Sequence, residues 1–342
     1  MSRVVSEIGE FALIDRIRKI VPDIKKKNVI LGIGDDSAVI KLDNSRGLLI
    51  TCDIQVEDQH FRWQYITPYQ LGKRAMAVNI SDIAAMGGKP TVALVSLALP
   101  GTFETTDFDE MFKGMQDQLN EFNGVIIGGN LARSSEKIIV DITLLGEIKL
   151  TRLIRRDGAR VGDRIFVTGF LGISTAGFYL LTKYGNAYPA DYAYYVQAHL
   201  VPKPRLAVAQ QISSLGVATS MIDISDGLAS DLSHICKQSH VGAEIFKQYL
   251  PLAEHRSELE KLLGKDTIKL ALHGGEDYEL LFTTDKDVDS KIIEQIAKKT
   301  DVKITEVGRI VSEDKGIYLI DKNKNKEIIN SFGWDHFQTK QI

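Results

Sequence analysis

Apolar and polar residues alternate along the chain with two different periods, which predicts a mixture of helices and strands. Residues 6–20 place apolar side chains at helical spacing. Residues 29–39 and 47–53 are predicted to be two strands, separated by a polar turn at 43–45. The segment 57–63 combines polar and aromatic residues without either period, and it is predicted to be a loop.

The same pattern continues through the next part of the chain. Thr67-Pro68 predicts a helix with proline in its first turn, and this helix extends to Met86. We expect 91–99 to be a buried strand and 105–122 a long helix with one apolar stripe. Residues 125–130 are predicted to be a strand that enters a glycine turn, and 137–148 another strand.

A segment rich in arginine and glycine, 149–162, indicates a boundary between two domains, which we place at 1–149 and 150–342. Strand-like and helix-like segments alternate beyond it as well, with a strand at 165–169 and helices at about 174–184, from Arg205 and at 228–237. Alternating elements joined by glycine turns favour an α/β unit followed by an α+β unit.

Composition narrows the class of protein. The 342 residues are 44% hydrophobic and 25% charged, as in ordinary globular proteins, and the net charge of −3 gives no basic face for nucleic acid. No apolar stretch is long enough to span a bilayer, and the N-terminus does not have the pattern of a secretion signal. We therefore expect a cytoplasmic protein that binds neither nucleic acid nor membrane, and its two cysteines fit a reducing compartment.

Acidic residues recur at the ends of apolar runs. Asp35-Asp36 follows the apolar segment 29–31, and two adjacent carboxylates repel each other unless cations neutralise them. The other acidic residues in such positions are Asp53, Asp82, Asp223 and Asp226. This recurrence predicts one site that holds several metal ions and handles phosphate. Asp35-Asp36 taken alone would equally suit a turn or a helix cap.

A series of motifs runs along the chain: the segments 32–36, 77–87, 128–129, 158–163, 223–228 and 274–280, together with Asp53, His60-Phe61 and 335–337. In this order they resemble the thiamine-monophosphate kinase family of the aminoimidazole ribonucleotide synthetase-like superfamily. The resemblance runs from Gly9 to Phe337 and thus covers almost the whole chain. The segments 60–61, 274–280 and 334–337 favour this family over the phosphoribosyl-substrate ligases of the same superfamily.

The resemblance implies a fold and a reaction. The N-terminal α/β domain would pair with a second copy to form an intersubunit β-barrel, and a C-terminal α+β domain would complete each subunit of the homodimer. The implied enzyme transfers the γ-phosphoryl group of ATP to thiamine monophosphate and gives thiamine diphosphate. Several Mg²⁺ ions would assist this in-line transfer, without a covalent intermediate or a dedicated catalytic side chain.

The resemblance also implies roles for individual residues. The implied metal ligands are Asp36, Thr51, Asp53, Asp82, Asn130, Asp223 and Asp226. The implied ATP contacts are Gly129, Asn130, Arg156 and Ser225, and the implied substrate contacts are His60, Glu276 and Trp334. Taken alone, a residue such as His60 is more often a surface or hydrogen-bonded loop histidine, and one such as Trp334 is most often a core or interface packing residue.

The sequence departs from the family pattern at Asn130, where the family usually has aspartate after the two glycines. Asparagine keeps an oxygen for Mg²⁺ but lacks the negative charge, so we expect weaker metal binding there. Cys52 also replaces the more usual threonine. Two alternatives therefore stay open: a relative that phosphorylates another small molecule, and a nucleotide-binding protein without turnover.

Overall fold

The structure, a computed structural model, describes residues 4–21 and 28–329, apart from the side chain of residue 11. Its α-helices are α1 Glu10–Ile20, α2 Pro68–Ala85, α3 Thr105–Asn120, α4 Ile173–Tyr184, α5 Ala193–Leu200, α6 Leu206–Leu215, α7 Leu228–Ser239, α8 Arg256–Leu263, α9 Thr267–His273 and α10 Ser290–Thr300. Its strands are β1 Val29–Leu31, β2 Ala38–Lys41, β3 Arg46–Val56, β4 Lys89–Pro100, β5 Val125–Ser134, β6 Ile139–Lys149, β7 Arg164–Thr168, β8 Ala218–Ile224, β9 Val241–Phe246, β10 Glu279–Thr284, β11 Ile304–Ser312, β12 Ile317–Ile320 and β13 Lys326–Ile328. Among these helices we find none with the length and apolar character needed to cross a membrane.

The strands form two sheets, one from each half of the chain. The first has the order β1-β2-β3-β6-β4-β5, and the second has the order β13-β12-β9-β11-β7-β10-β8. α2 packs against the first sheet and also contacts α6 and β8 of the second half. Because α2 touches both halves, side chains on this helix are placed to build a site where the halves meet.

α2 and α3 confirm the two long helices predicted at 67–86 and 105–122. Thr67 and Gln70 form a capping box at the start of α2, which satisfies free backbone groups of its first turn. The two helices lie in close backbone contact, because a Cβ atom on Gly72 would come within 2.0 Å of the Met111 carbonyl oxygen. Glycine at this crossing thus fixes how closely α3 packs on the helix that contacts both halves.

The segment 29–39, predicted as one strand, is divided in the structure. β1 and β2 pair antiparallel, with Leu31 opposite Val39, and the intervening residues form a loop. Gly34 lies in this loop with φ +139, a conformation that L side chains rarely adopt. The reversal matters for the site, because it places Asp35 and Asp36 in a connecting loop.

The glycine turn predicted after residue 127 is also wrong, because β5 continues through Gly128 and Gly129 to Ser134. Gly129 pairs with Val95 of β4, and a Cβ there would lie 1.7 Å from the Val95 carbonyl oxygen. Its missing side chain therefore permits close approach inside the sheet. β4, predicted to be buried, has one face partly exposed, where Leu94 is 40% accessible.

The second sheet and its helices follow the predicted order. β7, α4, α6 and α7 match the strand and helices predicted after residue 162. β10 is the neighbour of β8, with Leu280 opposite Asp223. The end of β8 consequently faces the loop 274–278 that precedes β10, and both are brought towards α2.

Candidate active site

Three carboxylates from distant parts of the chain meet between the two halves. Asp36 lies in the β1–β2 loop, Asp82 in α2, and Asp223 in β8. One carboxylate oxygen of each lies within 4.8 Å of the others. This arrangement brings together three residues that the sequence identified as candidate metal ligands.

Short hydrogen bonds fix the orientation of two of these carboxylates. The Thr51 hydroxyl, on β3, donates to Oδ2 of Asp82. The Ser81 hydroxyl donates to Oδ2 of Asp223 at 2.7 Å, which joins α2 directly to β8. Thr51 therefore orients a carboxylate through its hydroxyl. Its predicted role as an oxygen ligand to metal stays a prediction.

The fourth predicted carboxylate, Asp53, lies on β3 two residues after Thr51, so both side chains lie on the same face of the strand. Its backbone N–H donates to Oδ1 of Asn79 on α2 at 3.1 Å. Burial, Asp141 and Asp36 together raise the pKa of Asp53 to about 6, and Asp53 in turn contributes to the raised pKa of Asp82. Asp53 thus belongs to the same electrostatic group.

Arg156 supplies the positive charge at one side of the cluster. Its guanidinium forms an ion pair with Asp36, and its backbone N–H donates to Oδ2 of Asp35 at 3.2 Å. Neither Asp35 nor Asp36 caps a helix within 4–21 and 28–329, which argues against the cap alternative. Asp35 and Asp36 lie between the first two strands of the first sheet, whereas Arg156 follows its last strand in sequence. This contact therefore connects the two halves of the chain.

One atom of this cluster lacks a partner. Oδ2 of Asp36 is buried and accepts no hydrogen bond from any described residue. A buried anionic oxygen without a partner is costly, and a divalent cation would satisfy it. The carboxylate donors suit Mg²⁺, which prefers oxygen ligands. The residues therefore fit the metal that the sequence implies.

Burial and mutual repulsion disfavour ionisation of these acids. Burial, and next the charge of Asp36, raises the pKa of Asp35 to about 7. Burial also raises the pKa of Asp82 and of Asp223 well above the ordinary value, and the neighbouring aspartates add to it. The metal-free cluster consequently retains protons that the unfolded chain would release.

This retention predicts how pH governs cation binding. An acid with a raised pKa in the folded state adds stability at low pH, and that stability is lost as the pH rises through the folded pKa. Mg²⁺ must displace these protons, so its stabilising effect should be small near pH 5.5 and increase towards about pH 8. Thermal unfolding with and without Mg²⁺ measures this, and calorimetry in two buffers measures the released protons. An increase in melting temperature that is equal at both pH values would contradict the assignment.

Asp226 lies in a neighbouring group with two residues that the sequence did not single out. Carboxylate oxygens of Asp226 and Asp231 and a ring nitrogen of His234 lie within 4.8 Å of one another. The backbone N–H of Asp226 donates to Oδ2 of Asp231 at 3.2 Å. Asp226 thus follows Asp223 closely in sequence but has separate contacts. Ser225 between them accepts a hydrogen bond from the Glu276 backbone through its carbonyl oxygen, at 2.7 Å.

Gly129 and Asn130 lie on β5, an edge strand of the first sheet. Both are exposed, and Asn130 is in register with Ser96 of β4. Their predicted ATP and metal contacts stay predictions.

The predicted substrate residues have well-defined surroundings where the structure describes them. His60 accepts a hydrogen bond from the Val56 N–H at its Nδ1 atom, 3.0 Å away, as a loop histidine would. Glu276 has a left-handed backbone with φ +67 and forms an ion pair with Arg74 of α2. Trp334 lies outside the described residues.

Arg74 is a residue whose importance the sequence did not reveal. Its side chain is 1% exposed, and it donates to Gln55 at 3.1 Å, to the His199 carbonyl oxygen and to Glu276. A charged residue among the apolar positions of a helix was the available signal, but its partners are 19 to 202 positions away. Asp35 and Ser81 were also missed as partners, although each adjoins a predicted ligand.

Comparison with known proteins identifies the fold and the family. The family described as AIR synthase related protein, N-terminal domain, matches residues 34–148, and the corresponding C-terminal domain family matches 160–321. Most strands of the first sheet lie within the first range and most strands of the second sheet within the second, so the chain has the two-domain AIR synthase-like fold.

Individual relatives identify the family more specifically than the two domain matches do. The thiamine-monophosphate kinase of Aquifex aeolicus is 37% identical, covering 97% of this chain and 99% of that protein. The Bacillus subtilis thiamine-monophosphate kinase is 34% identical, covering 95% and 99%. The solved structure of AaThiL complexed with AMPPCP and TMP is similar with a TM-score of 0.85 and 34% identity, covering 98% of this chain and 99% of that one. The family resemblance seen in the sequence is confirmed, and the chain belongs to the thiamine-monophosphate kinase family.

Proposed function

We propose that the protein transfers the γ-phosphoryl group of ATP to the phosphate of thiamine monophosphate, giving thiamine diphosphate and ADP. The transfer is in line, uses several Mg²⁺ ions and takes place in the cytoplasm. The observation that carries this proposal is the group Asp36, Asp82 and Asp223, with its unpartnered buried oxygen, at the junction of the two halves. The family membership gives the donor and the acceptor.

The chemistry requires charge neutralisation above all. Donor and acceptor are both anionic phosphates, and they repel each other as they approach. Mg²⁺ held by the aspartates would neutralise the phosphate oxygens. Arg156 already pairs with Asp36 and lies beside the cluster, where its remaining guanidinium N–H groups suit a phosphate. The acceptor phosphate is ionised near neutral pH, so no side chain needs to act as a general base.

Glu276 is the described residue best suited to the thiamine end of the substrate. Its side chain is 30% exposed, so the carboxylate is partly accessible, although Arg74 contacts Oε1 and His199 lies 3.3 Å from Oε2. A carboxylate suits the cationic thiazolium and the aminopyrimidine of thiamine. We assign the same substrate to His60 and to Trp334, as the family pattern implies.

We further propose that residues 1–149 and 150–342 are the two domains and that two copies pair through the first sheet as a homodimer, forming an intersubunit barrel. The exposed apolar side chains of that sheet support pairing, among them Ile54 and Leu94, which lie on the same face. Apolar groups on one sheet face favour contact with a partner over contact with water. Light scattering coupled to size-exclusion chromatography measures the dimer, and a monomer at micromolar concentration would contradict it.

Steady-state formation of thiamine diphosphate from ATP, Mg²⁺ and thiamine monophosphate tests the reaction. The Asn130→Asp variant is measured beside the parent protein. We expect product from the parent and a lower Mg²⁺ requirement in the variant, because aspartate adds a negative charge.

Other results would change the conclusion. Product from Asn130→Asp alone would mean that the parent binds its substrates without turnover. Absence of product from both proteins, with AMPPCP still bound, would point to a different phosphate acceptor.

A further inference from the structure

Tyr278 has a backbone conformation that is unusual for a bulky side chain. It ends the loop 274–278, and its φ of +49 is left-handed, as is the φ of +67 at Glu276 in the same loop. Aromatic residues rarely adopt this conformation. Residues with such strained backbones concentrate at functional sites, where the surrounding structure holds them in place. The conformation of Tyr278 therefore makes it a candidate for a functional role.

Several hydrogen bonds hold this loop in place. The backbone N–H of Glu276 donates to the Ser225 carbonyl oxygen at 2.7 Å. The Tyr278 N–H donates to the Ile224 carbonyl oxygen at 2.9 Å. The Asp277 carboxylate accepts two further hydrogen bonds from backbone N–H groups at the start of α4. The loop is thus held against the end of β8, next to the carboxylate cluster.

The Tyr278 side chain is buried, but it belongs to neither apolar core. It is 8% exposed, and neither of the two clusters of packed hydrophobic residues includes it. Its hydroxyl forms no hydrogen bond with any other residue that the structure describes. A buried hydroxyl without a partner is costly, so a bound ligand is the natural acceptor for it.

The charged groups around this hydroxyl come from both parts of the candidate site. Glu276 and Arg74 belong to the part assigned to thiamine, whereas Asp53 and Asp223 belong to the carboxylate cluster. Burial and then the charge of Glu276 raise the pKa of Tyr278 well above its ordinary value. The phenol therefore keeps its proton and can donate a hydrogen bond.

We propose that Tyr278 contacts the substrate and that its hydroxyl donates a hydrogen bond to the phosphate of thiamine monophosphate. The inference rests on the proposed function, which supplies this substrate. With the cationic ring at Glu276 and the phosphate at the metal-binding aspartates, the substrate passes between the groups that surround the hydroxyl. A neutral donor suits this position, because a lysine or arginine there would pair with the aspartates instead.

Calorimetry in the presence of Mg²⁺ and AMPPCP tests this without turnover. The two ligands compared are thiamine monophosphate and thiamine, which lacks the phosphate. Tyr278→Phe keeps the ring and removes the hydroxyl. It should weaken the binding of thiamine monophosphate about tenfold or more, the usual effect of losing a hydrogen bond to a charged group. Its affinity for thiamine should equal that of the parent.

Tyr195→Phe is the matched control. The Tyr195 side chain is 5% exposed, and its hydroxyl donates to the Glu254 carbonyl oxygen at 2.7 Å. Removing this hydroxyl should lower the melting temperature, because an internal hydrogen bond is lost, and should leave both affinities unchanged. Tyr278→Phe should not lower the melting temperature of the ligand-free protein, because its hydroxyl has no partner among the described residues.

Two results would overturn the proposal. One is an affinity of Tyr278→Phe for thiamine monophosphate equal to that of the parent. The other is an equal loss of affinity for thiamine and for thiamine monophosphate, which would mean that the hydroxyl shapes the pocket and does not hold the phosphate. Failure of the proposed function reads differently, as binding of thiamine monophosphate by the parent without formation of thiamine diphosphate from ATP.

Discussion

Asp82→Asn is expected to reduce thiamine diphosphate formation by on the order of 100-fold or more while leaving the protein folded. Asp82 is central in the carboxylate group, since Thr51 orients it and both Asp36 and Asp223 lie within 4.8 Å of an oxygen it offers. The amide keeps the shape and one oxygen but removes the charge that, in the proposed function, would hold the cation.

The stability of this variant gives an independent measurement. Burial raises the pKa of Asp82 well above its ordinary value, so the ionised acid is disfavoured in the metal-free protein. Replacing it with a neutral amide should raise the melting temperature of the metal-free protein near pH 8 and lower the increase caused by Mg²⁺. Asp117→Asn is the matched control and should preserve turnover. Asp117 lies on α3, and its carboxylate accepts a hydrogen bond from the Tyr69 hydroxyl of α2. Turnover by Asp82→Asn close to that of the parent would exclude the metal role.

Arg74→Met is expected to destabilise the protein by about 3 to 5 kcal/mol, the cost of removing one partner from a buried ion pair. Arg74 is 1% exposed and joins α2 to Glu276 and to the His199 carbonyl oxygen in the second half. Methionine fills a similar volume but leaves these acceptors, and that of Gln55, without their donor. Denaturant titration measures the change in the free energy of unfolding.

The adjacent Lys73 provides a direct comparison. Its ion pair with Glu121 at 3.1 Å involves a glutamate side chain that is 51% exposed, so Lys73→Met should cost at most about 1 kcal/mol. Both changes replace a cation of α2 with the same residue, and only the environment differs. Equal losses of stability would show that burial of Arg74 does not matter. Binding of thiamine monophosphate should also weaken in Arg74→Met alone, because Glu276 loses its fixed position.

The structure explains which sequence predictions were right. Helices α2 and α3 follow strong local signals, a capping box at Thr67 and a regular apolar stripe through Met111 and Met115. Local sequence patterns gave wrong predictions of secondary structure at two glycines. Gly34 creates a reversal inside a predicted strand, whereas Gly129 lies within a strand where a turn was predicted. A glycine allows both outcomes, and the neighbouring strand decides between them.

The candidate site likewise contains residues that the sequence identified and residues that it did not. The sequence identified Asp36, Asp53, Asp82 and Asp223 from their position after apolar runs and from family order, and the structure brings them into one electrostatic group. It did not identify Arg74, because nothing near this residue in sequence marks its partners, and the motif 274–280 did not single out Tyr278. Their contacts depend on which strands and helices are neighbours in space.

By itself, then, the sequence determined the order of the elements, the family and the acidic residues, because periodicity, caps and motifs are local properties of the chain. Tertiary structure decided which of those residues meet. The pairing of β10 with β8 holds Tyr278 beside the end of β8, and the contact of α2 with both halves buries Arg74 and joins Ser81 to Asp223. Burial and the approach of like charges arise only once distant segments pack together, so the charge of the site is a property of the fold.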